Sequence, residues 1–178
     1  LCFFNKELMK SKENIVFLGM MGSGKTSMGL LLSRELKIEF YDTDDLIESE
    51  MGMKISKIFE TKGESFFRNI EEKITLRILK KKNIIVSLGG GAFLNKKIRK
   101  EVLENHKSFW LKLDSKIIIE RIINSPKRPI AINATKNDLV NLIKKRSNIY
   151  SKALYKVDCS NLKKKEILKK ILEIYETN

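Results

Sequence analysis

Short apolar runs alternate along this chain with longer stretches of helical period. The runs fall at residues 15–18, 38–41, 84–88, 109–113 and 154–157, the length of buried strands. Between them, at 27–36, 65–81 and 138–150, apolar positions recur every three or four residues, as on an amphipathic helix. Strand, helix, strand in repetition predicts an α/β fold: a five-stranded parallel sheet flanked by helices, with ligands at the carboxyl ends of the strands. Glycine and proline mark three loops. Gly19, Gly22 and Gly24 share one, Gly89, Gly90 and Gly91 another, and both prolines, Pro126 and Pro129, a third. No repeat or linker divides the chain, so 1–178 reads as a single domain with its core at about 14–176. Residues 1–12 read as an extension to which no chemistry is assigned. The basic segment 163–170 reads as a terminal helix packing through Ile167, Leu168, Ile171 and Leu172.

Composition changes this picture little. No apolar stretch approaches the ~18 residues of a membrane span, and the first nine residues, with Lys and Glu among them, do not read as a signal peptide. Cys2 and Cys159 have neither metal-ligand spacing nor a disulfide framework, which fits a reducing cytoplasm. The formal net charge of +14 invites a nucleic-acid reading. Its lysines, however, are spread over helical segments, so the charge reads as solvated faces, with a field that favours nucleotides and carboxylates. Only seven of the 36 basic residues are arginine. Planar, bidentate anion recognition needs arginine, so the positions of those seven are informative.

The first glycine loop carries chemistry. GMMGSGKT at 19–26 follows a strand run and precedes a helical one, the context a phosphate loop requires. Gly22 and Gly24 let the backbone turn so that successive N–H groups and the helix N-terminus converge on phosphate oxygens. Lys25 adds charge at the β and γ phosphates, and the Thr26 hydroxyl is suited to Mg²⁺. After the second run, in FYDTD, Asp42 and Asp44 fall at the sheet's carboxyl edge. If the strand continues, a period of two sends both carboxylates the same way, one toward a metal and one toward an acceptor hydroxyl. The competing reading is a helix N-cap, and the phosphate loop nearby favours function. Asp45 and Glu48 read as helix-start and surface residues.

Arg68 has Glu71 and Glu72 three and four residues on, either as a surface ion pair or as an orienting partner for a substrate-binding guanidinium. Gly89, Gly90 and Gly91 read equally as a flexible turn or as main chain that a ligand approaches where a Cβ would clash. This strand lacks the usual terminal Asp, which leaves Asp42 as the carboxylate for the magnesium shell. Arg121 leads into the proline-stiffened segment with Arg128, either an ordinary connection or a lid over the phosphates at about 122–134. Arg146 sits on a helical stretch with a surface role as its default, and His106 reads as structural.

In order, GMMGSGKT, FYDTD, GESFFRNIE, SLGGG, Arg121, Arg128-Pro129 and Arg146 resemble shikimate kinase, a family of P-loop kinases related to nucleoside monophosphate kinases, over about residues 14–160. The resemblance implies a P-loop kinase fold, transfer of the ATP γ-phosphoryl to the 3-hydroxyl of shikimate, and a place in chorismate and aromatic amino acid synthesis. It implies ATP phosphates on Gly22, Ser23, Gly24, Lys25, Thr26 and Ser27, and Mg²⁺ on Thr26 and Asp42. Asp44 would address the acceptor hydroxyl, Arg68 and Arg146 the carboxylate, and Gly89, Gly90 and Gly91 the ring. Arg121 would stack on adenine and Arg128 reach the phosphates from the lid; Lys25, Asp44 and Arg128 would be catalytic. The expected protein is a cytoplasmic monomer using only small molecules, with no nucleic-acid or membrane partner. Family members often carry a further arginine after the last strand, which is lacking in 157–162. Alternatives are a kinase of gluconate or of a nucleoside monophosphate, or a module that has lost catalysis. Gluconate kinases tend to place a His after the acidic pair, and 42–47 has none; no catalytic residue is lost.

Overall fold

The computed structural model describes residues 13–124 and 134–177. The expectations for 1–12, for Arg128 and for most of the lid therefore lie outside the described residues. The sheet has five parallel strands in the order β2-β3-β1-β4-β5: β1 (Ile15–Leu18), β2 (Glu39–Asp42), β3 (Ile84–Ser87), β4 (Lys107–Lys112) and β5 (Tyr155–Asp158). The two strands beside each other at the centre, β1 and β3, are buried at every position, which explains their unbroken apolar runs. The edge strands β2 and β5 are partly exposed. Strand β4 begins at Lys107, two residues before the apolar run, because Ser108 is enclosed and its hydroxyl accepts the Leu154 N–H at 2.9 Å.

Helices α1 (Lys25–Leu36), α2 (Thr43–Met51), α3 (Ile55–Leu79), α4 (Lys96–Asn105), α5 (Ser115–Ile123), α6 (Lys136–Tyr150) and α7 (Lys164–Thr177) flank it. In α7 the packing residues are those expected, with Ile167 and Ile171 buried. The predicted helix at 65–81 is the second part of α3, which bends at Gly63, where φ is 80°. The aromatics of α3 face a second, smaller core formed by Ile47, Ile58, Phe67 and Ile74 beneath α2 and α3. Glu48 is more than a surface residue there. Lys54 offers α3 no side-chain cap, and Glu48 Oε1 instead accepts the Ile55 N–H at 3.0 Å, joining the two helices.

Asn14 ties together the sheet's other end. Its side chain donates to Leu79 O and Lys81 O and accepts from Ile84 N–H, while its backbone N–H donates to His106 Nδ1 at 3.4 Å and its carbonyl accepts from Lys107 N–H. His106 is buried, and that burial pushes its pKa below the ordinary 6.5 against the pull of Glu101 and Glu13, with Lys82 adding to the fall. The unfolded chain then binds more protons than the folded one as pH falls below about 6.5, so stability declines on the acid side. His106→Asn keeps an acceptor for Asn14 but no titrating ring. Melting curves between pH 7.5 and 5.5 are expected to show a shallower acid-side fall in that variant; an unchanged slope would exclude His106 as the cause.

Candidate active site

The chain leaves β1 with β3 on one side and β4 on the other, which opens a crevice at the strands' carboxyl ends. The glycine loop fills that position. Gly19, Gly22 and Gly24 all have positive φ, at 141°, 79° and 93°. Gly24 is also the N-cap of α1 and supplies no side-chain hydrogen bond, so the helix's first N–H groups have no cap and are disposed toward an anion. Lys25 is buried, its Nζ donating to Gly19 O and Met20 O at 3.0 Å each. Ser23 Oγ is buried without an acceptor or donor among the described residues.

Three successive residues after β2 have three duties. The strand ends at Asp42, so the period-of-two argument fails: Asp44 is already in the first turn of α2. Asp42 is the N-cap, its Oδ1 accepting the Asp44 N–H at 3.0 Å, yet its Oδ2 also accepts the Thr26 hydroxyl at 2.6 Å. The cap therefore leaves the second oxygen free to face the phosphate loop. Thr43, fully buried, accepts the Gly89 N–H at 2.8 Å. Asp44 faces the cleft, and burial, reinforced by the charge of Asp42, pushes its pKa up to about 7 against the pull of Lys25.

The glycine triplet is neither a flexible turn nor simply a surface for ligand. None of its residues has positive φ. At Gly89 and Gly91 the site's own side chains instead occupy the space of the missing Cβ atoms. A Cβ on Gly89 would lie 2.4 Å from Asp44 Oδ1 and 3.1 Å from Glu71 Oε1, and one on Gly91 would lie 2.5 Å from Arg68 Nη1. Gly90 O accepts from Arg146 Nη1 at 3.2 Å and from the Tyr150 hydroxyl. Tyr150 is buried, which pushes its pKa up to about 12 and keeps it a donor.

Arg68 pairs with Glu71 at 2.7 Å and Glu64 at 3.1 Å; Glu72 turns away to Asn95 and Lys97. Glu71 is 2% exposed, so this is no surface ion pair. Burial raises the Glu71 pKa against the Arg68 charge, and burial likewise opposes the charge of Arg68, where the two glutamates prevail. Arg146 is also buried, and its Nε meets no acceptor among the described residues.

Two clefts meet here. One, of about 630 Å³, is lined by Asp42, Asp44, Arg68, Glu71, Gly90, Gly91, Arg146 and the rings of Phe59 and Phe67. The other, of about 480 Å³, runs along Ser23, Gly24 and Ser27 to Arg121, which donates to Gly22 O at 2.8 Å. Its wall after β5 includes Cys159, Leu162 and Lys164. Gly22, Lys25 and Thr26 line both. Tyr150 and Thr43 were not assigned roles from the sequence. Glu71 had a signal in its spacing from Arg68, whereas the other two depend on tertiary placement.

A triphosphate loop whose lysine is shared with a second, arginine-bearing cleft defines a P-loop kinase of a small anionic acceptor. The family model for shikimate kinase matches residues 21–176. Shikimate kinase from Thermodesulfovibrio yellowstonii is 36% identical over 92% of this chain and 95% of its own. Two solved structures overlay closely: shikimate kinase from Acinetobacter baumannii in complex with shikimate (TM-score 0.89, 27% identity, 97% of each chain) and that from Aquifex aeolicus (TM-score 0.83, 33% identity, 93% and 97%). The chain belongs to the shikimate kinase family, and its reaction is the ATP-dependent phosphorylation of shikimate.

Gly89→Ala tests the triplet. Its Cβ collides with carboxylate ends that can move aside, so the melting temperature is expected to drop by no more than about 4 °C. The Cβ also displaces Asp44, so turnover is expected to fall roughly tenfold or more. Unchanged kcat would remove the geometric role assigned to Gly89.

Proposed function

We propose that the enzyme transfers the γ-phosphoryl of ATP to the 3-hydroxyl of shikimate across Lys25. The observation that carries this reading is the meeting of the two clefts at Lys25 and Thr26, with the phosphate loop on one side and Asp44, Arg68 and Arg146 on the other. The loop N–H groups and α1 bind the donor phosphates, with Ser23 and Ser27 along the path, and Arg121 flanks the base. Arg68, pre-oriented by Glu71, and Arg146, whose buried Nε lacks an acceptor, take the carboxylate. Asp44 accepts a hydrogen bond from the hydroxyl and orients it, and takes its proton as the bond to phosphorus forms. Arg128 belongs to this reading as the lid residue that reaches the phosphates.

Magnesium suits the donor set. Among the described residues no three His, Cys, Asp or Glu form a ready cage, but Thr26 Oγ1 and Asp42 Oδ2 stand together at the loop. Mg²⁺ keeps several waters and takes few protein ligands, so Thr26 directly and Asp42 through the water shell would hold it. Bound there, it would neutralise charge on the β and γ phosphates.

The same reading takes about 14–176 as one catalytic domain with a lid at about 122–134. It makes the enzyme a cytoplasmic monomer that acts on small molecules and uses neither nucleic acid nor a membrane. Among the described residues no helix is long and apolar enough to cross a membrane.

ADP release with MgATP should be stimulated by shikimate and not by gluconate or nucleoside monophosphates. Arg68→Lys, which loses the bidentate fork, is expected to raise the shikimate KM roughly tenfold, and Asp44→Asn to lower kcat by roughly a hundredfold. Stimulation by another acceptor, or unchanged constants in both variants, would overturn the assignment.

A further inference from the structure

Gly90 and Gly91 lie between the two guanidinium groups assigned to the acceptor. Arg146 Nη1 bonds to Gly90 O from α6, and Arg68 Nη1 rests where a Cβ of Gly91 would stand. The position of these two residues therefore sets how far apart the arginines are held. What fixes the glycines is the single 3-10 turn that follows, Ala92–Leu94. Its N–H groups reach back, Ala92 to Gly89 O and Leu94 to Gly91 O, each at 3.0 Å. Ala92 and Phe93 are anchored in the main core. The carbonyls on the turn's far side are gripped by one group: Arg99 Nη1 donates to Phe93 O at 3.1 Å and Leu94 O at 2.9 Å.

Arg99 stands on α4, whose Ile98 and Val102 are buried, and it lines neither cleft. Beside it, Asn95 caps α4 and donates Nδ2 to Glu72 Oε2 at 2.7 Å, which ties the end of the turn to α3, the helix that carries Arg68 and Glu71. In a chain with few arginines, one is placed where two hydrogens of a planar nitrogen meet two successive carbonyls. We propose that Arg99 is a positioning residue for acceptor recognition, holding the glycine turn so that Arg68 and Arg146 are correctly spaced for one carboxylate, while touching neither ligand. The inference rests on the acceptor assignment of the preceding subsection.

Steady-state kinetics with both substrates varied tests it. Arg99→Ala is expected to raise the shikimate KM roughly fivefold or more with the ATP KM changed less than about twofold, because the turn and not the phosphate loop is released. Arg99→Lys, whose ammonium can still donate to both carbonyls, recovers part of the loss. In an Arg68→Ala background, Arg99→Ala adds much less than it costs alone, since the group it aligns is gone. Should Arg99→Ala fail to fold, Arg99→Gln, which keeps the stem and one amide donor, is expected to show the same selective rise in smaller degree. Equal rises for both substrates, no rise, or full additivity with Arg68→Ala would overturn the role while wild-type turnover of shikimate leaves the acceptor assignment standing. A wild type that does not turn over shikimate overturns both.

Discussion

The arginine-bearing cleft depends on the absence of side chains at Gly89 and Gly91, which flank Gly90 in one turn. Gly89, Gly90 and Gly91 are in ordinary backbone conformations, so their value is not conformational freedom but space. Asp44 and Glu71 occupy the volume beside Gly89, Arg146 and Tyr150 close on Gly90, and Arg68 presses on Gly91. Two carboxylates and two guanidinium groups from α2, α3 and α6 are thereby brought around one short stretch of main chain. Burial of this many charges is tolerable because they are of mixed sign, Arg68 pairs with Glu71, Arg146 donates to Gly90 O, and burial raises the Asp44 pKa to about 7.

The sheet topology supplies the other half. A parallel sheet that departs from its central strand in both directions leaves a crevice, and the phosphate loop is the first connection to enter it. The loop contributes Gly22, Lys25 and Thr26, which line both clefts, and the residues after β2 contribute Asp42 and Asp44 to one of them. Asp42 illustrates how one side chain serves both: one oxygen starts α2 and so aims Asp44, and the other receives the Thr26 hydroxyl. The helix cap and the partner of the phosphate-loop threonine are the same residue because the position demands an acceptor for two donors.

Much of this was readable in the chain. Strand runs, the order of elements and the phosphate loop follow from local pattern, since buried parallel strands are continuously apolar and a phosphate loop needs its glycines in fixed places. The errors arose where tertiary contact decides. The second strand stops at Asp42 because a helix begins there, which no periodicity could show. Arg68 has two carboxylates within helical reach in sequence, and only the position of α4 reveals that Glu72 is engaged elsewhere and that Glu71 is the buried one. The glycine triplet was legible as a site of close approach, but what approaches it comes from three distant segments. Arg146 defaulted to the surface for the same reason.

The most direct measurement is calorimetric titration of shikimate and, separately, of ADP into wild type and Gly91→Ala. The nearest atoms to a Cβ at 91 are those of the Arg68 guanidinium, the far end of a flexible side chain. The guanidinium can move aside without unfolding the chain, but it can no longer lie against the turn. The structure predicts that shikimate affinity falls roughly tenfold or more while ADP affinity stays within about twofold of wild type. Unchanged shikimate affinity in a folded Gly91→Ala protein would contradict the claim that the missing side chains of the glycine turn are what place the acceptor's arginines.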